Sequence, residues 1–474
     1  MTSSSFSREP RQAPRPGRGP SRAPFAPTLI AGLMLVACDQ TLSVSRVDEV
    51  FSTGQADGAM MKATGVLQTR DTTFDVACPV RLSRQGASIP YIARTNKIWT
   101  DADVRATLDL PGYVKVVHLM NRCGRTSSAA ILGCAPRGRP TMIVEDLKDN
   151  DAPNVALEGT LWAHEFGHTQ GLAHTPPPFC PINCEGPTCF NECDVFGIPQ
   201  DTTAFVMSAG INGNSRSITT AECNAFLVPR KEPPAPPSLP CEVCEVICYN
   251  QCSFGFAGHA GEGAATGPKV PIREFVGRVY VDSVPFAEAT RYGPEEIPQL
   301  TAMLADPRER DRWTMVATVL GIIGGDREAE TLIHFIRKDR PDRLGGTEYR
   351  AVGAALVALG YMVERSGSPT AMGFLAEASQ PRFWSRQSRM RWTTRSAATR
   401  DERDRDLRNF AIMALGLSGS REAWPVLQSL WARLNLGLDE GSPADQQALM
   451  GLVEQSMDDH ARVSGHGLAV YYGN

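Results

Sequence analysis

The sequence predicts a domain that combines strands with helices, followed by an all-helical domain. Two short β-branched runs, at 114–120 and 141–145, indicate strands in the first domain. The segment 154–169 has the length of a helix and start signals just before it. From about residue 290 onward, apolar helical segments recur with turns between them. The fold class is therefore α+β followed by all-α.

Composition bounds the protein class. The 474 residues include 42% hydrophobic and 21% charged residues, which is enough apolar material for a sizeable core. This composition excludes a collagen, a coiled-coil rod and a fully disordered chain. A formal net charge of −4 argues against a general nucleic-acid binder. No apolar run reaches the roughly 18 residues of a transmembrane helix.

The N-terminus predicts export. Residues 1–24 are rich in Pro, Ser and Arg, and an apolar stretch follows at 25–37, so 1–37 is typical of a signal peptide. It ends in Leu35-Val36-Ala37-Cys38, which resembles a bacterial lipoprotein signal. In that family the chain is cut before the cysteine, which is then lipidated, and this implies a membrane-anchored protein of the cell envelope. An ordinary signal peptide with a chance cysteine is the alternative.

Removal of the signal peptide would change the net charge and the cysteine count of the mature chain. Residues 1–37 carry five Arg and one Glu, so the mature chain would have a net charge of −8. The chain has 13 cysteines, many for a reducing cytosol, and twelve remain if Cys38 carries lipid. An even number fits up to six disulfides in an oxidising compartment. The polar stretch 38–72 is expected to be a flexible tether.

One stretch of eleven residues carries the chemistry, namely His164-Glu165-Phe166-Gly167-His168-Thr169-Gln170-Gly171-Leu172-Ala173-His174. Histidines four residues apart project from one face of a helix, where two imidazoles can bind one Zn²⁺. Leu157 and Leu161 precede them at helical spacing, which predicts that this face points inward. Gly171 permits a sharp turn that returns His174 as a third ligand. Three neutral ligands leave a fourth position open, as in catalytic zinc sites.

This stretch resembles the extended motif of the metzincin metallopeptidases, HExxHxxGxxH, which a methionine turn follows. The candidate turn is 205–210, with Met207 33 residues after His174. The resemblance covers a peptidase domain at 73–228 and implies a twisted mixed sheet with an active-site helix. It implies that Glu165 is the general base that activates the attacking water and that Met207 forms the floor beneath the metal. The implied zinc ligands are His164, His168 and His174.

The resemblance also suggests a substrate-binding strand and a subfamily. Residues 131–136 and the strand after them are similar to the metzincin edge strand, which lines the cleft and pairs with the substrate backbone. That role falls to Thr141, Met142, Ile143, Val144 and Glu145. The residue after the third histidine differs among metzincin subfamilies. Here it is Thr175, which is most similar to the pattern of the pappalysin-like branch, with a matrixin-like protein as the alternative.

The remaining cysteines allow two interpretations. Two quartets can form disulfides or bind structural zinc, and disulfides are favoured in an exported protein. Cys123 and Cys134 flank a short loop and are candidates for pairing. Arg122-Cys123-Gly124 resembles the core of a matrixin cysteine switch, but its position inside the catalytic domain argues against that role. The quartets are Cys180, Cys184, Cys189 and Cys193, and Cys241, Cys244, Cys248 and Cys252.

A Pro-rich linker with a cysteine cluster, 229–272, leads to helical repeats over 273–437 and a tail at 438–474. The pairs Leu320-Gly321, Leu359-Gly360 and Leu415-Gly416 are each expected to end an apolar helix before a turn and a second helix. This pattern resembles HEAT-type repeats, with an unrelated helical bundle as the alternative. A basic insertion at 382–408 is expected to be a solvated loop.

These observations predict an exported, zinc-dependent metalloendopeptidase whose cofactor is Zn²⁺. Its partners are expected to be a protein or peptide substrate, a membrane through the lipid, and no nucleic acid. The repeats are expected to hold the substrate or a protein partner, because stacked helices offer an extended surface. The alternative is a binding or scaffold lipoprotein whose metzincin-like domain is catalytically vestigial.

Overall fold

The chain divides after Val36, and every residue described below belongs to the unit Ala37–Asn474. The protein is a mixed α/β protein with many helices and small sheets. No helix among the described residues is long and apolar enough to cross a membrane. The computed structural model describes residues 38–46, 53–68, 78–86, 89–90, 96–147, 154–174, 182–185, 188–191, 206–208, 210–211, 215, 218–228, 269–281, 284–394 and 397–472.

The largest sheet has five strands in the order β10-β11-β6-β2-β4. Strands β11, β6, β2 and β4 run parallel, and β10 runs antiparallel to β11 at one end. Two-stranded pairs join β1 to β3, β5 to β7, β8 to β9, β12 to β13 and β14 to β15. The strands are β1 Cys38–Leu42, β2 Val44–Arg46, β3 Val80–Arg84, β4 Ile89–Pro90, β5 Lys97–Ile98, β6 Val114–Val117, β7 Leu119–Met120, β8 Arg122–Cys123, β9 Thr126–Ser127, β10 Gly133–Cys134, β11 Met142–Glu145, β12 Ile182–Glu185, β13 Thr188–Asn191, β14 Gly210–Ile211 and β15 Val279–Tyr280.

Fourteen helices are described among these residues, together with the 3-10 segments Pro294–Glu296 and Pro307–Arg312. The predicted helix 154–169 is confirmed as α3. The helices are α1 Thr53–Gln68, α2 Asp101–Leu108, α3 Asn154–Thr169, α4 Thr220–Phe226, α5 Ile272–Phe275, α6 Phe286–Ala289, α7 Ile297–Ala305, α8 Trp313–Ile323, α9 Asp326–Arg337, α10 Gly346–Ser366, α11 Pro369–Ala378, α12 Arg400–Leu417, α13 Ala423–Asn435 and α14 Pro443–Tyr471.

The predicted tether at 38–72 is wrong for its described part. Strand β2 lies inside the five-stranded sheet, and helix α1 packs against helix α3. Gly159 of α3 lies so close to α1 that an added Cβ would be 2.7 Å from Lys62 Cβ, and the Lys62 ammonium pairs with Glu158 at 2.6 Å. The overall polarity of the segment concealed the spaced apolar side chains that enter the core. These are Leu42, Val44, Ala56, Ala59, Met60, Ala63, Val66 and Leu67.

In the helical half, made of the described residues of 284–472, glycines allow neighbouring helices to approach closely. Added Cβ atoms would lie 2.6 Å from Ala358 O at Gly321 and 2.6 Å from Ser456 O at Gly416, and one at Gly360 would overlap Ala414 O. Each of these contacts joins one helix to the next in the series α8, α10, α12, α14. Gly360 lies inside α10, so the prediction that each Leu-Gly pair ends a helix is wrong for this pair. The pattern marks close approach of helix backbones instead.

The predicted tail at 438–474 contains α14, which packs against α12 and α13. Its sequence is largely polar, but Leu452, Val453 and Val463 are buried along one side, and the helix kinks at Gly467. The predicted solvated insertion at 382–408 is also only partly a loop. From Arg400 onward it is α12, and Trp392 is buried beneath the guanidinium of Arg403 at 5.3 Å.

The sheet-containing half, made of the described residues of 38–281, has buried clusters of its own, and a few of its side chains join the core of the helical half. Trp99, Leu119 and Ala129 belong to the same buried cluster as the helices, and Trp99 meets Phe410 edge-on with ring centroids 4.9 Å apart. Buried ion pairs cross between the halves, with Lys97 Nζ 2.5 Å from Asp406 and Arg122 Nη1 2.7 Å from Asp459. Buried aromatic contacts and ion pairs therefore join the two halves.

Candidate metal centre

Two histidines of α3 face each other. His164 and His168 lie one turn apart and are buried together with Leu157 and Leu161, as their helical spacing predicts. The Nε2 atoms of the two rings are 3.1 Å apart. The helix thus brings two potential ligand nitrogens to one point in the interior.

Backbone carbonyls fix both rings. His164 Nδ1 lies 2.7 Å from Val206 O, and His168 Nδ1 lies 2.9 Å from Leu172 O. A carbonyl oxygen only accepts, so each Nδ1 donates its proton and each Nε2 is left as the acceptor of the neutral ring. Hydrogen bonds of this kind orient metal-ligating histidines in proteins. Two nitrogen lone pairs aimed at one point suit a cation between them.

His174 completes the cluster after a turn. Gly171 has φ of +91°, a backbone conformation that favours glycine, and the chain then returns toward α3. The ring of His174 lies 5.3 Å from that of His164 and 4.9 Å from that of His168, between centroids. One ligand atom from each of the three histidines lies within 4.8 Å of the others. The predicted turn at Gly171 is confirmed, and the three candidate ligands lie together.

Glu165 follows His164 on α3 and is buried, with its carboxylate against β10. A Cβ added at Gly133 would lie 2.5 Å from Glu165 Cδ and 2.8 Å from its Cγ, and would overlap Oε1. No side chain can therefore stand at position 133 while the carboxylate keeps its place. Gly133 was missed as a site residue, although it lies within the run 131–136 that resembles the approach to the metzincin edge strand.

Met207 lies against α3. A Cβ at Gly167 would overlap Met207 Sδ and would lie 2.9 Å from its Cε, and Met207 is buried. The preceding residue, Val206, supplies the carbonyl that holds His164. The described part of the predicted methionine turn, 206–208, therefore packs on the helix that carries the histidines.

The predicted edge strand is wrong. Met142, Ile143, Val144 and Glu145 form β11, which is paired on both sides, with β10 and with β6, and is buried throughout. Among the described strands, β10 stands at this end of the sheet, next to Glu165. The two-residue length of β10 leaves no alternating pattern for sequence analysis to find. Thr141 precedes β11 and accepts a hydrogen bond from buried Lys115 at 2.5 Å.

The structure shows how some of the cysteines pair. Disulfides join Cys123 to Cys134, as predicted, and Cys78 to Cys223, a pair 145 residues apart that no local signal reveals. A disulfide leaves no thiol at Cys123 for a cysteine switch. Cys184 stands opposite Cys189 in the β12–β13 register, and Cys38 begins β1. The other cysteines of the two quartets lie outside the described residues, namely Cys180, Cys193, Cys241, Cys244, Cys248 and Cys252. Thr175, which suggested the subfamily, also lies outside them.

Comparisons with protein-family models, curated proteins and solved structures find no match for this chain. The candidate site is therefore supported by its own geometry: three convergent imidazoles, a buried carboxylate on the residue after the first of them, and a methionine packed against the same helix.

Proposed function

We propose that the protein is an exported zinc metallopeptidase of the metzincin kind. The observation that carries this proposal is the histidine cluster, in which three ligand atoms lie within 4.8 Å of one another, together with buried Glu165, the residue after His164. The donor set fits Zn²⁺, which takes three histidine nitrogens in catalytic sites and keeps a fourth position open. The antiparallel strand β10 at the end of a mixed sheet supports the same class.

Different residues of the chain have different roles in the proposed hydrolysis. A bound zinc supplies Lewis acidity. Glu165 accepts the proton of the attacking water on a carboxylate oxygen and returns it to the leaving amine. Val206 and Leu172 hold the imidazoles in the tautomer that presents Nε2. Strand β10 takes the place of β11 as the strand that pairs with the substrate backbone, since it lies beside Glu165.

The helical half is proposed to be a HEAT-like array. Successive backbone contacts at Gly321, Gly360 and Gly416 support a stack in which each first helix touches the next. One surface of this stack is buried against the sheet-containing half, and its exposed surface is proposed to hold a protein substrate or partner.

The lipid anchor belongs to the same proposal, with Cys38 as its attachment site. Because β1 begins at Cys38, an anchored chain would enter the fold with no spacer between lipid and sheet. Cys38→Ser is expected to release the protein from the membrane fraction of cells that process lipoproteins. A variant that stays in the membrane fraction would contradict the anchor and leave the peptidase proposal intact.

The decisive experiment uses the exported chain beginning at Cys38. We expect about one zinc per chain by elemental analysis and cleavage of a peptide library. Glu165→Gln should retain zinc and lose cleavage by roughly 10³-fold or more, since it removes the general base. The matched control is Glu158→Gln, another buried glutamate of α3, whose partner is Lys62. Native protein without zinc would overturn the proposal, and zinc without cleavage would favour the binding lipoprotein.

A further inference from the structure

We propose that Arg350, on the helical half, is a positioning residue for Glu165. This inference rests on the proposed peptidase function. It extends that function by making the helical half part of the catalytic unit, because Arg350 holds the chain segment whose end lies against the general base.

Arg350 lies near the start of α10 and is buried at the junction of the two halves. Its Nη1 donates to Ala129 O at 2.6 Å and to Ile131 O at 3.0 Å. Its Nη2 forms an ion pair with Glu145 of β11. One guanidinium thus holds two carbonyls of an irregular segment and a carboxylate of the neighbouring strand.

The held segment leads directly to Glu165. Two residues after Ile131 the chain reaches Gly133, whose backbone packs against the Glu165 carboxylate. Leu132 between them is tied on both sides, because its N–H donates to Val281 O at 3.0 Å and its carbonyl accepts from Glu145 N at 2.8 Å. A displacement of the segment at Ile131 would therefore reach the surface on which Glu165 rests.

The contact needs an arginine. The planar guanidinium presents several donors in fixed directions, so it serves the two carbonyls and Glu145 together. A lysine would keep the charge beside Glu145 but has a single compact ammonium. The neighbouring residue Tyr349 fixes the same turn of α10 through Asp406, at 2.5 Å.

The test begins with hydrogen exchange on the full exported chain without substrate, read on fragments covering 129–135. Arg350→Gln is expected to speed exchange at Leu132 by roughly tenfold or more, because the segment loses two donors. Arg408→Gln is the matched control. Arg408 is another buried arginine of the helical half, but its partners are Asp439 and Ser379 O. This control should leave exchange at 129–135 unchanged.

The second measurement is peptide cleavage. Arg350→Gln should lower kcat by roughly tenfold or more with KM within about twofold and zinc content unchanged, and Arg350→Lys should recover part of the loss. Glu145→Gln removes the ion-pair partner but keeps Arg350 on the two carbonyls, so it should retain most of kcat. If Arg350→Gln does not fold, the double variant with Glu145→Gln takes its place, since no buried carboxylate is then left unpaired.

Two results would overturn the positioning role. One is exchange at Leu132 within about twofold of the parent in both Arg350 variants. The other is an equal loss of kcat in Arg350→Gln and Arg408→Gln, which would reduce Arg350 to general stability. The exchange measurement needs no activity, so a chain that binds no zinc or cleaves no peptide would refute the proposed function while this test still stands.

Discussion

The backbone of Gly133 lies against the carboxylate of Glu165, with no room for a side chain between them. The contact joins β10, the strand at one end of the five-stranded sheet, to helix α3, which carries His164 and His168. In the proposed mechanism the general base is therefore placed by a strand backbone as well as by its own helix.

Gly133→Ala tests this contact. The new Cβ would overlap Oε1, so Glu165 must move, and we expect peptide cleavage to fall by roughly tenfold or more. Zinc content should stay at the parent level because the histidines are not touched. Gly138→Ala does not serve as a control, since its φ of +72° adds backbone strain. Gly65→Ala does, because nothing lies within 4 Å of its Cβ position on α1, and full activity is expected there.

Gly360→Ala tests the stacking of the helical half. Its Cβ would overlap Ala414 O and lie 3.0 Å from Ala414 Cα, so the two helices must separate. We expect a loss of about 1–3 kcal/mol in the free energy of unfolding, measured by denaturant titration. Gly373→Ala is the control, because its position on α11 is open, and a gain of about 0.5–1 kcal/mol is expected. A Gly360→Ala variant as stable as the parent would contradict the close approach.

Parts of the fold could be predicted from local pattern. The strand at 142–145, the helix at 154–169 and the pairing of Cys123 with Cys134 all follow from short-range signals. The helices around the repeated glycines were also foreseen, but the glycines mark contacts between helices, which are a tertiary property. The predicted tether and tail failed for the same reason, since an average polarity hides the few apolar residues that reach the core.

The candidate site was predictable where its spacing is local. The three histidines and Glu165 lie within eleven residues, so helical geometry and one glycine turn bring them together. Gly133 and Arg350 lie far away along the chain, and their positions depend on sheet order and helix packing. The edge strand was misplaced because a two-residue strand has no periodicity, whereas the longer β11 has a clear apolar pattern.

The carboxyl group of Asp439 is expected to make the free energy of unfolding depend on pH in acid. Burial alone would raise the pKa of its carboxyl, but two hydrogen bonds and the charge of Arg408 outweigh burial and hold the pKa below its usual value of 3.8. This stabilising contribution is complete above pH 3.8 and is lost as the pH falls through the lower pKa of the folded state. Asp439→Asn should therefore destabilise the protein at neutral pH by about 1–3 kcal/mol. The difference should shrink below pH 3.8.

Denaturant titrations of both proteins across this range measure the effect. Asp445→Asn is a more exposed comparison, whose carboxyl pKa is lowered mainly by the hydrogen bond from Ser442. It should show the same sign with a smaller change. A difference between parent and Asp439→Asn that stayed constant into acid would show that the charge of Asp439 contributes nothing to stability.

Removing the disulfide at Cys123 tests whether this cysteine stabilises the fold or inhibits the proposed peptidase. A cysteine switch predicts that Cys123→Ser activates the enzyme, whereas the disulfide with Cys134 predicts lower stability and no activation. We expect a loss of about 2–4 kcal/mol in the free energy of unfolding. Cys134→Ser should behave alike, because either substitution opens the same bond. A rise in cleavage rate in Cys123→Ser alone would support the switch.

The C-terminal aromatic pair tests whether the end of the chain is structural. Tyr472 OH donates to Ser127 O at 2.7 Å and lies 2.7 Å from Tyr361 OH, while Tyr471 OH accepts from Ser127 N at 3.0 Å. Both rings are buried and both hydroxyls contact Ser127 of β9, so Tyr471→Ala with Tyr472→Ala should lower the free energy of unfolding by about 3–5 kcal/mol or more.

Val470→Ala is the control for this pair, because its side chain is exposed, and it should leave the unfolding temperature nearly unchanged. Tyr472→Phe gives a graded comparison, because it keeps the buried ring and loses its hydroxyl, for an expected cost of about 1–2 kcal/mol. A double alanine variant that unfolds at the parent temperature would show that Tyr471 and Tyr472 do not stabilise the fold. The expected loss would instead show that Tyr471 and Tyr472 join the helical half to the sheet-containing half through Ser127.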